Sequence, residues 1–384
     1  MRIYNTQTNI ASEIVKFLLK VNPNIRKTQL NIIPYIIIGM IISESSVKLD
    51  IAKKLKNQFS LVKLSSITKR ITRFFKNKLF NPYHFYDKII RFVISNYKTK
   101  HEDNNVHIVI DHMFSHENFT VFMITMRLGK QSIPLWFRCF KGNNDSDAFS
   151  EDLLKEGISY VSSLFDDSFN LIFLADRWFG STKLMQHIAS LNHTFCFRGK
   201  GSVKVFVFDK KEGHKVWKTL SDLSSYEYHS NLFENLPITN SEFIVNVAIS
   251  KKNGVSEPWI ILTNADPKQA IKNYGFRFGA IEFLFKSQKS NGFRIESVCN
   301  ASLDYFTSMY SLVCFASLFL TILGADYSKN SKCYKKVKID THTTRNGKRI
   351  RIMSLFNTGL TLFNLAYESS FYIRLPFNFK LYDI

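Results

Sequence analysis

Cysteine is scarce in this sequence, with five residues among 384 and no C-x-x-C pair. The five are Cys139, Cys196, Cys299, Cys314 and Cys333. Their odd number and wide spacing predict neither a zinc site nor a disulfide framework, and they fit a reducing cytoplasm. A signal peptide is not expected, because Glu13 and Lys16 interrupt any early apolar run. Internal repeats and low-complexity blocks are also missing.

Acidic residues are few relative to basic ones. Lys and Arg number 52 against 31 Asp and Glu, which gives a formal charge of +21. This surplus predicts a polyanionic partner, nucleic acid first and an anionic membrane second. Codon bias in an AT-rich genome would also enrich Lys, but residues 1–100 hold 19 basic and only four acidic residues. That uneven distribution favours a binding surface over codon bias.

Long hydrophobic runs are limited to two stretches. Residues 28–43 are uncharged, but the run is short and contains Pro34 and Gly39. Residues 305–325 form a run of 21 residues without a charge, which is long enough to span a bilayer. Because Ser, Thr and Tyr dilute this run, we expect a buried core helix in preference to a membrane span.

The length and composition fit a globular protein of two or three domains, at about 100–200 residues per domain. Apolar residues make up 45% of the chain and charged residues 22%. These values exclude a disordered tail, a collagen-like fibre and a small disulfide-stapled module.

Residues 1–100 are predicted to be helical, because apolar residues recur there at spacings of three and four. A short helix, a Ser-rich turn and a basic helix within this region resemble a helix-turn-helix. The basic helix carries Lys69, Arg70, Arg73, Lys76 and Lys78. We predict that Lys69, Arg70 and Arg73 bind DNA; a solvated basic helix face is the alternative.

Beyond residue 105 the pattern changes to strands. Three β-branched and aromatic runs at 106–114, 119–129 and 132–140 are followed by a helix, a strand at 170–179, a second helix and another strand. This order predicts an α/β ribonuclease-H-like core. The predicted organisation is a helical basic DNA-binding domain at 1–100, a catalytic core at 101–201 and 265–328, a β-strand insertion at 202–264 and a basic C-terminal region at 329–384.

Two aspartates follow apolar strand patterns, Asp111 after "HIVI" and Asp176 after "LIFLA". A carboxylate at the end of a buried strand needs a partner, since burying an unpaired charge is costly. Two such carboxylates on neighbouring strands would suit Mg²⁺ or Mn²⁺, which prefer oxygen ligands. The alternative is that each aspartate simply caps a turn.

A third acid, Glu282, lies in a segment of helical period and precedes Lys289 by seven residues, or two helical turns. Tyr274 and Arg277 add a phenol and a guanidinium upstream. An acid beside phosphate-binding cations is what phosphodiester chemistry requires. A surface salt bridge between Glu282 and Lys286 would explain the acid equally well.

These residues resemble a motif of insertion-sequence DDE transposases, in the group with a β-strand insertion before the final Glu. The group's signature is Y-x2-R-x3-E-x6-K, and its second Asp is usually followed by Arg. This chain has Tyr274-x2-Arg277, Glu282-x6-Lys289 and the pair Asp176-Arg177. It departs in having four residues between Arg277 and Glu282, and in lacking a small residue after the first Asp. The resemblance covers about residues 60–325.

The resemblance implies specific roles. Asp111, Asp176 and Glu282 would bind two Mg²⁺ ions, or Mn²⁺ in their place, and carry out catalysis. Five residues would contact DNA: Tyr274, Arg277, Lys289, Trp259 and Arg177. Trp259 would stack on a flipped base while a DNA hairpin forms, although a strand tryptophan is more often a core residue.

The function implied is a metal-dependent DNA transposase that cleaves the ends of its element and transfers them to target DNA. It would act as a homodimer on double-stranded DNA, away from membranes, in the prokaryotic cytoplasm near the nucleoid. The alternatives are another ribonuclease-H-like nuclease and a catalytically silent DNA-binding relic of a transposase.

Overall fold

A computed structural model describes most of the chain. The described residues are 6–98, 104–115, 119–142, 150–209, 212–223, 231–239, 243–250, 257–299, 301–329, 341–347, 349–351, 353–368 and 381–382. Cys333 and the basic segment 330–340 lie outside these ranges. The four described cysteines are all free.

In the described part of the chain, a helical N-terminal region is followed by a mixed α/β region. The helices are α1 (Thr6–Val21), α2 (Lys27–Leu30), α3 (Ile33–Ser43), α4 (Lys48–Lys56), α5 (Leu64–Phe75), α6 (Pro82–Ser95), α7 (Glu151–Ser162), α8 (Thr182–Ser190), α9 (Leu220–Leu223), α10 (Pro267–Gly275), α11 (Ala280–Lys289), α12 (Leu303–Lys329) and α13 (Leu355–Glu368). The strands are β1 (Tyr97–Lys98), β2 (Asn105–Ser115), β3 (Phe119–Leu128), β4 (Gln131–Lys141), β5 (Asn170–Ala175), β6 (Thr194–Arg198), β7 (Lys204–Asp209), β8 (His214–Thr219), β9 (Asn231–Pro237), β10 (Ile244–Ser250), β11 (Trp259–Thr263), β12 (Thr341–Thr343), β13 (Arg349–Arg351) and β14 (Leu381–Tyr382).

The central element is an eight-stranded mixed sheet with the order β4-β3-β2-β5-β6-β11-β10-β9. Strands β2, β3 and β4 are antiparallel neighbours, whereas β5 runs parallel to β2 and β6 parallel to β5. Helix α7 connects β4 to β5, and α8 connects β5 to β6. The predicted order of three antiparallel strands, helix, strand, helix and strand is therefore confirmed.

The strands of the predicted insertion divide between two sheets. Three of its strands continue the central sheet, because β11 pairs antiparallel with β6 and is followed outward by β10 and β9. Its other two strands, β7 and β8, form a separate two-stranded hairpin. In the sequence, the apolar runs "VKVFVF", "EFIVNVAI" and "PWIILTN" mark β7, β10 and β11, whereas no such run marks β8 and β9.

The two faces of the sheet are covered by different helices. One face carries Val109, Leu174 and Cys196, which pack with Tyr274 of α10 and Ile281 of α11. The opposite face packs into the larger core, together with residues of α7, α8 and α12. Covering both faces in this way explains why β5 and β6 read as continuous apolar runs.

Helix α12 corresponds to the long apolar run at 305–325. This helix is long and apolar enough to cross a membrane, but its apolar stretch is completely buried inside the fold. The expectation of a core helix is thus confirmed by its burial. The other apolar run forms α2 and α3, and α3 has only 11 residues.

Helix α13 crosses α12 at very short range. A Cβ placed on Gly324 of α12 would lie 1.9 Å from the carbonyl oxygen of Leu355, and one on Gly359 of α13 would lie 1.9 Å from that of Leu320. Because neither position has room for a side chain, the two glycines permit this backbone contact.

The N-terminal helices share their hydrophobic core with the rest of the chain. Phe17 of α1 stacks on Phe315 of α12, with 5.8 Å between ring centroids. The Tyr86 hydroxyl of α6 donates a 2.7 Å hydrogen bond to the carbonyl oxygen of Pro134 in β4. The domain boundaries remain predictions, but the helical region is held against the sheet by buried contacts.

Candidate active site

The register of two parallel strands brings Asp111 and Asp176 side by side. Ile110 of β2 is opposite Ala175 of β5, so the next residue on each strand is an aspartate. Strand β5 ends there, and the Asp176 side chain accepts a hydrogen bond from the Arg177 N–H at 2.6 Å. The predicted strand at 170–179 is therefore too long, since a short 3₁₀ turn follows Asp176.

Asp111 lies within β2 rather than at its end, because β2 stays paired with β3 as far as Ser115. It is nevertheless the first residue of β2 beyond the pairing with β5. Alternate residues of a strand face the same side. Asp111 thus lies on the same face of the sheet as Val109, and Asp176 on the same face as Leu174. Helices α10 and α11 cover this face.

The group that bridges the two aspartates is the guanidinium of Arg277. Its Nη2 lies 2.8 Å from Oδ2 of Asp111 and 4.0 Å from Oδ2 of Asp176. The two carboxylate oxygens are therefore at most 6.8 Å apart, the sum of those distances. Side-chain exposure is 11% for Arg277 and 17% for Asp111, so this ion pair is largely shielded from water.

Burial dominates the electrostatics of Asp111. Desolvation raises the pKa of its carboxyl above the ordinary value, against the opposing influence of Arg277 and of the hydrogen bond from the His112 N–H. Burial likewise lowers the pKa of His112. Two carboxylates share one guanidinium here, so a further cation would be attracted to the cluster when both carboxylates are ionised.

Glu282 does not join this pair. The segment that holds Tyr274 and Glu282 has helical period, but the chain breaks between α10 and α11. Gly279 has a φ of +81° at this break, a conformation that suits glycine. Because the helix is interrupted, the extra residue between Arg277 and Glu282 causes no rotation along a continuous helix.

Glu282 lies in the first turn of α11, exposed, without an ion pair or hydrogen bond to any described residue. Within the described ranges, no three His, Cys, Asp or Glu side chains are grouped closely enough to hold a metal ion. The oxygen donors of Asp111 and Asp176 suit a hard divalent cation. The described arrangement therefore offers two protein ligands for such an ion.

An aromatic cluster lies next to the acid pair. The ring of Trp259 stacks on Phe278 at 5.1 Å with 14° between planes, and Tyr274 meets both rings edge-on. The Tyr274 hydroxyl and the Arg277 Nε are buried and form no hydrogen bond within the described part of the chain. Burial raises the pKa of Tyr274 to about 12. Both unsatisfied groups are donors, as an anionic ligand would require.

Besides Arg277, two more of the predicted DNA-binding cations are engaged by acids. Arg177 forms a 2.7 Å ion pair with Glu257, which also lies 3.3 Å from Arg198. Lys289 is 3.4 Å from Glu296. Glu257 and Arg198 are not among the predicted site residues, and no local pattern marks them, because they meet only through the pairing of β6 with β11.

The basic helix predicted in the N-terminal region is α5. Its residues Ile67, Ile71 and Phe74 are buried. The cationic side chains Lys69, Arg70, Arg73 and Lys76 are exposed on the opposite side. This arrangement places a run of positive charge on one solvent face, at helical spacing.

Comparison with known proteins gives little further information. No protein-family model matches the chain, and no curated protein matches it. Among solved structures, the chain is similar to a piggyBac transposase in a synaptic complex with hairpin DNA, at 13% identity and a TM-score of 0.48. The match covers 94% of this chain and 78% of that one. A similarity of this size does not establish a shared function.

Proposed function

We propose that this chain is a DNA transposase with a ribonuclease-H-like core, acting on DNA in the prokaryotic cytoplasm. The observation that carries the proposal is the pair Asp111 and Asp176, held side by side on adjacent parallel strands of a sheet with the order β4-β3-β2-β5-β6. The exposed basic face of α5 supports DNA as the substrate.

In this proposal Asp111 and Asp176 hold divalent metal, Mg²⁺ or Mn²⁺, with Glu282 joining when α11 moves. Bound metal would stabilise charge on the scissile phosphate and assist its in-line displacement by water or a 3′-hydroxyl. Arg277 leaves the carboxylates and, with Tyr274, donates hydrogen bonds to a phosphate of the element end. That movement would satisfy the buried donors on both side chains.

The finer steps belong to the same proposal. Lys289 and Arg177 reach phosphates after exchanging their acid partners for DNA. Trp259 and Phe278, already stacked, hold an extruded base during hairpin formation, at about 1–3 kcal/mol per stacked base. Two protomers synapse the two ends, and the cut element is joined to target DNA.

The test is cleavage of a plasmid that carries the gene for this chain with its flanking genomic DNA. Wild-type protein with Mg²⁺ or Mn²⁺ should cut at the two element ends. Asp111→Asn and Asp176→Asn should each abolish cutting while leaving DNA binding intact. Glu234→Gln, which alters an exposed carboxylate on the edge strand β9, is the matched control and should cut normally.

DNA binding by α5 is tested with a triple variant. Changing Lys69, Arg70 and Arg73 to Gln should weaken duplex binding and reduce the slope of log affinity against log salt by about 2.7, at about 0.9 per phosphate contact. The same change at Lys16, Arg26 and Lys27, which are exposed on the first two helices and the turn between them, is charge-matched and should alter the slope far less. Equal slopes in the two variants would remove α5 from the interface.

A second candidate function is a catalytically silent DNA-binding protein. It is favoured by the position of Arg277 between the carboxylates and by the separate location of Glu282. Duplex binding without metal binding or cleavage would identify this case. Cleavage without preference for the element ends would instead identify another ribonuclease-H-like nuclease.

A further inference from the structure

The hairpin β7–β8 has two faces of different character. In its register Phe206 is opposite Trp217, and Phe208 is opposite Lys215. The alternation of side chains places one set of residues on the face turned to solvent. These residues are Lys204, Phe206, Phe208, Lys215, Trp217 and Thr219. The buried residues Val205 and Val207 occupy the other face.

The aromatic side chains of the solvent face are unusually accessible. Phe208 is 57% exposed and Trp217 is 41% exposed. The rings of Phe206 and Trp217 are 5.2 Å apart with 37° between their planes, so they form a tilted pair. Large aromatic rings at this exposure offer flat surfaces for another π system.

The charge of this face is positive. Lys204 and Lys215 are exposed on it, and neither forms an ion pair with a described residue. Three acids of the described hairpin and its base are already engaged: Asp209 pairs with Lys218 on the opposite face, Glu212 contacts His214, and Asp222 accepts hydrogen bonds from Thr219. A ligand of this face therefore meets aromatic rings and two cations that form no ion pair with a described acid.

The hairpin leaves the sheet at the edge that carries the acid pair. Ala175 of β5 is opposite Phe197 of β6, so Arg198, the last residue of β6, lies at the level where Asp176 follows β5. Hydrogen bonds from the Ser221 N–H to Gly201 and from the Leu220 N–H to Val203 tie the base of the hairpin together. The hairpin therefore follows directly on β6, the neighbour of the strand that precedes Asp176.

We propose that the Phe206–Phe208–Trp217 face binds single-stranded DNA, with the rings stacking on unpaired bases and Lys204 and Lys215 contacting phosphates. Stacking platforms combined with a basic track are the general means of binding single strands. Lysine is depleted from the cores of protein–protein interfaces, which argues against a protein occupant. The inference rests on the proposed function only in taking DNA as the substrate.

The experiment measures binding of the full chain to a fluorescent single-stranded oligothymidylate, without metal, so that cleavage plays no part. Trp217→Ala and Phe208→Ala should each weaken binding about tenfold, and Trp217→Phe should restore most of the affinity. Lys204→Gln with Lys215→Gln should reduce the salt slope by about 1.4, at about 0.7 per contact on a single strand. Ile244→Ala is the control, because Ile244 is 51% exposed and lies on β10.

Three other outcomes would overturn the inference. If the wild-type chain binds duplex DNA but the hairpin variants bind oligothymidylate as tightly as the wild type does, the hairpin face fails while the proposed function stands. If the variants instead change the sedimentation coefficient of the free protein, the face is a contact between copies of this chain. If the wild-type chain binds no DNA in either form, both proposals fail.

Discussion

Replacing Arg277 tests whether the acid pair is a metal site. The guanidinium lies 2.8 Å from Asp111 and 4.0 Å from Asp176, in the space that a divalent ion would enter. An ion must therefore displace Arg277 before it can use both carboxylates. We expect Arg277→Gln to bind Mn²⁺ more tightly than the wild-type chain does, because the competing cation is gone.

The size of the effect follows from the contact that is lost. A hydrogen bond to a charged group contributes about 1.5–3 kcal/mol, and about 1.4 kcal/mol corresponds to a tenfold change in affinity. The variant should thus bind Mn²⁺ about tenfold to a hundredfold more tightly. Without metal it should be less stable, by about 1–3 kcal/mol, because the buried carboxylate of Asp111 loses its charged partner.

The assay combines titration of free Mn²⁺ by electron paramagnetic resonance with thermal unfolding at several Mn²⁺ concentrations. Tighter binding to the native state should appear as a larger rise in Tm for the variant. Arg177→Gln is the matched control, since Arg177 adjoins Asp176 in sequence but pairs with Glu257. Equal Mn²⁺ affinity in the wild type and Arg277→Gln, or no binding by either, would refute the reasoning.

Three further predictions concern the core. Gly324→Ala should cost about 3 kcal/mol of stability or more in urea unfolding, because the added Cβ would lie 1.9 Å from the Leu355 carbonyl oxygen. The control Gly275→Ala should be nearly neutral, because a Cβ there meets nothing within 4 Å, and equal costs for the two variants would contradict the close contact between the helices. Tyr310→Phe should cost about 1–3 kcal/mol, because it removes a 2.6 Å hydrogen bond to a buried glutamine of α11, and a neutral result would show that this glutamine finds another partner. Burial raises the pKa of Tyr274 from 10.0 to about 12, so the native state holds more protons than the unfolded state between those pH values. The contribution of Tyr274 to stability is therefore complete below pH 10 and falls by about 1.4 kcal/mol per pH unit above it. Urea unfolding from pH 9 to 12 should show a smaller loss of stability in Tyr274→Phe than in the wild type.

Much of the local structure could be predicted because it depends on near neighbours along the chain. Apolar spacing marked α1, α4, α5 and α6, and β-branched runs marked β2 to β6. Asp111 and Asp176 stood out because each follows an apolar strand. The same local patterns missed β8 and β9, which have many exposed residues and so lack a clear alternation of buried side chains.

The surroundings of the acid pair were decided by contacts between distant parts of the chain. Arg277 lies 166 positions after Asp111, and only the packing of α10 on the sheet brings its guanidinium to the carboxylates. Glu282, five residues further on, lies beyond the break at Gly279, on the separate helix α11. Spacing along the sequence could not show this break, because a single residue with a positive φ changes the direction of the chain that follows it.

By itself, then, the sequence indicated many of the helices and strands, the order of elements along the chain up to β6, the basic face of α5 and the two aspartates. These features follow from periodicities of two to four residues and from local charge. The tertiary structure alone decided that three insertion strands extend the sheet, that α13 and the N-terminal helices are among the elements covering α12, and that a guanidinium lies between the aspartates. Each of these depends on strand register or helix packing across long sequence separations, where loop closure and side-chain fit select the partner.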